Sequence, residues 1–219
     1  MYNLLQVLTL ASAVDAEGRD VFVETVGTAA AALPGIRNIL FAPTLPGVYN
    51  GGDFLLRLVF DDKAACEAAL ASGAWAQARA LLGDSDVVSY IQLVAYAGGR
   101  SGGSSDGSGL YRVALFCANV RPDAERLAAF GDQTAGMPDH VRSILRWQLS
   151  QADEAVGDRP WTHVWEQEYA DLDGLNGPYM MHPVHWAHVE RWFDTEYTEH
   201  LVDPILVHTY CSIDRPVIV

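Results

Sequence analysis

The order of apolar stretches predicts an α+β fold built from two tandem β-α-β-β-α-β units within 219 residues. A glycine- and serine-rich segment, Gly98-Gly-Arg-Ser-Gly-Gly-Ser-Ser-Asp-Gly-Ser-Gly109, divides the chain into halves of similar length. Each half reads as strand, helix, strand, strand, helix, strand. Two local matches then link the halves. Leu33-Pro34-Gly-Ile-Arg-Asn-Ile-Leu answers Met137-Pro138-Asp-His-Val-Arg-Ser-Ile-Leu, and Leu58-Val-Phe-Asp-Asp answers Gln167-Glu-Tyr-Ala-Asp. The expected organisation is a first unit over 1–97, a flexible linker over 98–109 and a second unit over 110–219. This element order is the ferredoxin-like unit. Two such units packed sheet against sheet bury the face each would leave open, which predicts an intramolecular α+β barrel, a pseudo-dimer in one polypeptide.

In the first half, residues 2–11 form an apolar strand. A helix follows from about Asp15, a fitting N-cap, to Leu33, where Pro34-Gly35 ends it. Ile36–Ala42 reads as a strand and 43–52 as a Pro- and Gly-rich loop. Phe54–Phe60 is the next strand, Asp62 caps an alanine-rich helix to about Leu82, and Val87–Tyr96 closes the unit. The second half gives a strand over Leu110–Asn119, a helix over Pro122–Gly131 and a strand over Val141–Ser150. After an acidic loop come a strand over Trp161–Tyr169, a helix over Pro183–His200 and a last strand over Ile205–Ile213.

Half of the residues are apolar, enough for a buried core. A formal charge of −14 argues against nucleic acid, which needs a basic face, and against a polybasic membrane patch. No apolar run approaches the about 18 residues of a membrane span, and the start lacks the basic region of a signal peptide. Cys66, Cys117 and Cys211 are far apart and form no CxxC pair, so they read as buried thiols of a reducing compartment. The expectation is a soluble, cytoplasmic protein.

All seven histidines lie between His140 and His208, so any histidine chemistry sits in the second half. The densest stretch is Tyr179-Met180-Met181-His182-Pro183-Val184-His185. Proline suits the first helical position, which makes His182 the N-cap and puts His185 in the first turn. There the positive end of the helix dipole favours a neutral imidazole, a usable general base. Tyr179, just before the helix, can donate a hydrogen bond to a carbonyl or enolate oxygen. His163 shares a strand face with Trp165, Gln167 and Tyr169, which reads as a pocket wall. Arg112 suits a carboxylate or phenolate, with pairing to Glu166 or Glu168 as the plain alternative. His182, His185 and His188 fall three residues apart, which spreads them around a helix too widely for one tetrahedral ion, so no metal is expected. His200 and His208 read as structural or exposed. No Walker, GxGxxG or GxSxG pattern points to a cofactor.

The second half resembles the dimeric α+β barrel family called Dabb, or stress-responsive A/B barrel. Members carry a Tyr-x-x-His-Pro-x-His signature entering the second helix, matched here by Tyr179, His182, Pro183 and His185. Arg112-Val-Ala-Leu-Phe116 resembles the family's first strand, which often has histidine where Arg112 stands, and His163 falls where characterised members place a histidine. The first half matches by topology only, with Ala71-Ser72-Gly73-Ala74-Trp75 at the motif position. The resemblance implies that Tyr179 binds an oxygen and His185 acts as base, as in a plant polyketide cyclase of this fold.

The expected function is a cofactor-independent lyase or cyclase acting on a small hydrophobic or aromatic, carbonyl-containing substrate. His185, Tyr179 and His163 are the expected catalytic residues, and Arg112, His182, Trp165, Trp186 and Phe130 the expected substrate-binding ones. A non-catalytic ligand-binding protein and a haem-degrading monooxygenase are the alternatives. Whether the first half lends residues, and whether the pseudo-dimer pairs further, stays open.

Overall fold

The computed structural model describes residues 1–104 and 106–219. The chain forms two five-stranded antiparallel sheets. In the first half, β1 (Tyr2–Leu10), β2 (Asn38–Pro43), β3 (Phe54–Phe60) and β4 (Val88–Ala97) pair in the order β2-β3-β1-β4. In the second, β6 (Leu110–Phe116), β7 (Arg146–Gln151), β9 (His163–Tyr169) and β10 (Val207–Ser212) pair in the order β10-β6-β9-β7. These are the same ferredoxin-like order written twice, as the sequence predicts. Each sheet turns one face to helices and the other to the opposite sheet. Leu5, Val7, Leu55 and Val94 from the first meet Tyr111, Val113, Leu115 and Val164 from the second in one buried cluster, the inside of the barrel.

The helices begin where the sequence marks caps. Asp15 accepts from the Gly18 N–H at 2.9 Å to start α1 (Ala16–Ala31), and Asp62 accepts from Ala65 at 2.8 Å to start α2 (Lys63–Ala71). The predicted long helix to Leu82 breaks at Ser72 and resumes as α3 (Ala76–Leu82), while α4 spans Ala124–Gly136. Asp171 accepts from Gly174 at 2.9 Å to start α5, residues 172–179. Asp62 and Asp171 are the final residues of the two matched pentapeptides, so the duplication extends to the caps.

Two stretches that read as loops are strands. Arg100–Gly103, inside the expected flexible tether, is β5 and pairs with β7 at the edge of the second sheet. Glu154–Val156, inside the expected acidic loop, is β8 and pairs with β4 at the edge of the first. Glycine and acidic residues disfavour strands only weakly when a neighbouring edge offers unpaired backbone groups. The expected helix over Pro183–His200 is shorter. It forms α6, residues 183–192, and then gives way to turns. Among the described residues, no helix is long and apolar enough to cross a membrane.

The loop between β2 and β3 reaches the second sheet. Leu45 N–H donates to the Tyr210 carbonyl at 3.0 Å, and Tyr49 and His208 exchange two backbone hydrogen bonds at 2.8 Å. Gly47 has φ of +96°, and a Cβ there would lie 2.6 Å from the Tyr210 hydroxyl. Gly47→Ala is therefore expected to lower stability by about 1–3 kcal/mol, read in a urea titration. A variant as stable as the parent would show that this loop is not held against β10.

Inside the barrel, the Arg57 Nε–H donates to Glu166 Oε1 at 2.7 Å, with both side chains fully buried. Arg57 stands five residues before Asp62 and Glu166 five before Asp171. Equivalent positions of the two repeats thus carry opposite charges and meet each other.

Candidate active site

The second sheet's outer face, α4, α5 and α6 enclose a cavity of about 370 Å³. Phe116, Phe130, Phe193 and Tyr179 give it flat aromatic walls. Its polar lining is sparse and buried. Among the described residues, Arg112 Nε, Thr134 Oγ1, Trp165 Nε1, His185 Nδ1 and His208 Nε2 have no hydrogen-bond partner. An unpaired buried polar atom costs about 1–3 kcal/mol, so five around one cavity mark a place built for a polar ligand.

Tyr179 and His185 reach the cavity from two unusual turns. Pro178 lies inside α5, where its ring would clash with a carbonyl one turn back and its nitrogen has no proton to donate. The backbone widens there to π-helical geometry over Leu175–Tyr179, and the Met180 N–H donates to the Leu175 carbonyl at 3.0 Å. A second π turn, His185–Val189, opens α6. Such widened turns recur at functional sites because they re-aim single side chains. Here they bring the two rings edge to face with centroids 5.0 Å apart. The Arg112 guanidinium lies 5.6 Å from the Tyr179 ring centre, and its Nη1 donates to Gln167 Oε1 at 2.7 Å. Glu166 and Glu168, the alternative partners, are engaged elsewhere, Glu166 by Arg57 and Glu168 by the Val217 and Ile218 N–H groups.

Of the expected site residues, the structure brings together His185, Tyr179, Arg112, Trp165 and Phe130. Three do not join them. His163 stacks on Phe116 at 5.6 Å with Nδ1 2.8 Å from the Thr162 hydroxyl, so Phe116 and Phe130 screen it from the cavity. His182 caps α6, its Nδ1 accepting from the Val184 N–H at 3.2 Å, as its position before Pro183 implies. Trp186 points outward and is 53% exposed. Two lining residues escape sequence reasoning. His208 lies in the cavity wall rather than in a structural or exposed place, and Tyr49 comes from the first half to the cavity rim. Alternation along Val207–Ser212 pairs His208 with Tyr210 on one face, but only the sheet register sets it beside Ala114.

Burial pushes His185 down to about 4, with the Arg112 guanidinium adding to it. Burial, Arg112 and His185 push His208 down to about 3, and burial pushes His163 down to about 4. All three are neutral near pH 7. An unfolded imidazole titrates near 6.5. Below that pH the unfolded chain binds protons that the folded chain refuses, so stability is fully present above pH 6.5 and is lost as pH falls towards 4. Urea midpoints are expected to stay level from pH 8 to 7 and to drop between 6.5 and 5, before most carboxylates titrate. A level midpoint through that window would contradict the burial of these imidazoles. Glu190, at the cavity wall, is raised above the ordinary carboxylate value by burial and by Asp194.

Residues 110–205 match the model of the Stress responsive A/B Barrel Domain, Dabb. That match places a Dabb domain at residues 110–205. No curated protein matches the sequence significantly. Among solved structures, an anthrone oxidase-like protein is similar with a TM-score of 0.70 at 13% identity, over 97% of this chain and 91% of its own. A monooxygenase candidate from Lactobacillus acidophilus gives 0.60 at 11%, over 97% and 99%. A point mutant of chlorite dismutase from Candidatus Nitrospira defluvii gives 0.53 at 11%, over 99% and 91%. These likenesses are of fold, and they extend over both halves, so the unit preceding the Dabb domain is part of a shared two-unit architecture.

A haem fits the Dabb-domain cavity poorly. His185 and His208 are neutral imidazoles, but Arg112 is the one cation among the lining residues and Glu190 adds a carboxylate. Two propionates would have a single guanidinium between them. Among the described residues, no three of His, Cys, Asp and Glu are grouped to hold a metal.

Proposed function

We propose that the cavity is the active site of a cofactor-independent lyase or cyclase that removes a proton from a carbonyl-activated carbon. The observation that carries this reading is the partly buried, neutral His185 with a free, buried Nδ1 beside Tyr179 in a largely apolar cavity. A neutral imidazole in low dielectric is a base, and the enolate it creates is an anion that balances its charge. The proton moves from substrate carbon to His185 Nδ1, and the electron pair moves onto the carbonyl oxygen as an enolate. Tyr179 donates its hydroxyl to that oxygen, and Arg112 supplies positive charge on the same wall. The enolate then adds to a second carbonyl in an aldol-type ring closure, or the same steps run backwards as a cleavage. An enolate is also where cofactor-free reaction with oxygen would begin, which agrees with the names of two structural neighbours.

Proton NMR in D2O tests the reading, using aryl ketones, β-keto esters and phenolic aldehydes. Wild type should exchange or convert at least one of them, and His185→Ala none. Tyr179→Phe should keep binding but slow exchange by about 10²-fold, the usual loss for one oxyanion donor. Line broadening without exchange in wild type would instead favour a ligand-binding protein.

A further inference from the structure

The cavity floor is one row of the second sheet. Across β10, β6 and β9, the register sets His208 against Ala114 and Ala114 against Trp165. All three line the cavity. Neighbouring strands lie about 4.8 Å apart, so the outer two residues stand about 10 Å apart at their backbones. Between them Ala114 raises only a methyl group. The row is a trough with a polar nitrogen at each end, since His208 Nε2 and Trp165 Nε1 are both buried and, among the described residues, unpartnered.

The first repeat provides an internal comparison. Leu56 lies six residues before Asp62, as Trp165 does before Asp171. Leu56 pairs with Gln6, and Gln6 pairs with Leu93. The equivalent row is therefore Leu93–Gln6–Leu56, with both leucines packed in the core and Gln6 filling the middle. Arg112 likewise corresponds to Leu4, since each sits opposite the residue four before its capping aspartate. The two halves differ where a trough would form, and only the Dabb half has the small centre and polar ends.

We infer that Ala114 is the seat of a planar conjugated substrate whose opposite edges carry oxygens held by His208 and Trp165. The indole N–H only donates, so the oxygen at that end has only to accept, which a carbonyl does without leaving a proton unpaired. A neutral imidazole both donates and accepts, so the other end takes a hydroxyl. The ligand class is a hydroxyaryl ketone, or an enolised diketone of similar length, lying flat between the alanine methyl and the aromatic walls. This rests on the proposed reading that the cavity takes a small carbonyl compound. It adds the contacts that choose which one.

The test is calorimetric binding of 4-hydroxyacetophenone to the full chain, with acetophenone and 4-ethylphenol as analogues lacking one oxygen each. Wild type should bind the hydroxy ketone about tenfold or more tightly than either analogue. Ala114→Leu should lower that affinity at least tenfold, while Ala114→Gly keeps it within about twofold. Should the leucine variant fail to fold, variants at the two ends of the trough decide. Trp165→Phe should erase the preference over 4-ethylphenol alone, and His208→Leu the preference over acetophenone alone. His188→Gln, exposed and outside the cavity lining, should bind like wild type. Absence of binding at millimolar ligand, equal affinity for all three compounds, or unchanged affinity in a folded Ala114→Leu would each overturn the inference. The expected binding with no exchange on any carbonyl compound would leave the seat standing and sink the proton-transfer reading alone.

Discussion

His185→Ala is expected to lower turnover of a carbon acid by about 10²- to 10⁴-fold while changing stability by no more than about 1 kcal/mol. The two halves of that expectation have one origin. His185 Nδ1 is buried without a partner among the described residues, so the fold gains no hydrogen bond from it. Removing the ring loses some packing against Tyr179 and also removes an unsatisfied polar atom, and these effects oppose each other. Chemistry has no such offset. His208 is a second neutral imidazole in the same cavity, but it projects from the sheet floor rather than from α6. A variant that unfolds easily would mean His185 is part of the packing. A stable variant with full turnover would place the base elsewhere.

The largest effect on stability should come from the barrel interior. Arg57→Ala or Glu166→Ala is expected to cost about 3–5 kcal/mol, lowering the melting midpoint by roughly 10 °C, because each leaves one charge buried and unpaired. Glu166 also accepts from the Tyr111 hydroxyl at 2.7 Å and from Gln148 Nε2 at 3.0 Å, and Arg57 Nη1 donates to the Val217 carbonyl at 2.8 Å. Charge reversal at one site, as in Glu166→Arg, should be worse still, with two guanidinium groups facing each other. The swap Arg57→Glu with Glu166→Arg should recover part of the loss, but not all, since the Val217 carbonyl would face a carboxylate and Tyr111 and Gln148 would have to turn from donating to accepting. Equal damage from single and double variants would show that the pair's mutual attraction is not what matters.

That pair also says what duplication makes available. In a symmetric dimer, a residue on the two-fold axis meets its own copy, so a charge there repels itself. Joining the units in one chain lets equivalent positions diverge into Arg57 and Glu166. Pairing either half with itself would then set like charges together in a dry interior. The interface favours the partner half by excluding the self-pair.

The repeat is legible in the sequence because its markers are local. A shared aspartate at the end of each pentapeptide, read as a cap only at Asp62, and a Pro turn after each first helix survive divergence of everything between. Tyr179 and His185 are legible through a seven-residue motif, Trp165 through the alternation of one strand and Arg112 through its place in the first strand of the resembling family. Phe130 sits on a helix with no such signal. His163 shows the limit of alternation. Period two puts it on the helix-facing side, but Phe116 and Phe130 decide that it faces away from the cavity, and that is packing. His208 and Tyr49 depend on the register of β10 and on a loop crossing between halves, which no single segment encodes. β5 and β8 escape because composition speaks for isolated stretches, whereas a sheet edge recruits whatever backbone passes beside it. The π turns require Pro178 to be seen inside a helix, and the sequence pattern starts the helix only at Pro183.

The measurement that reaches the central claim most directly is a pH titration of histidine ring nitrogens by 15N NMR, assigned with His185→Gln and His208→Gln. The His185 and His208 rings should stay neutral down to about pH 5, below the about 6.5 of an unperturbed imidazole. His185→Gln should also ease protonation of His208, since the two share one cavity and oppose each other's charge. A His185 ring that titrates near 6.5 and ignores His208 would place it in solvent, and the proposed base would be lost.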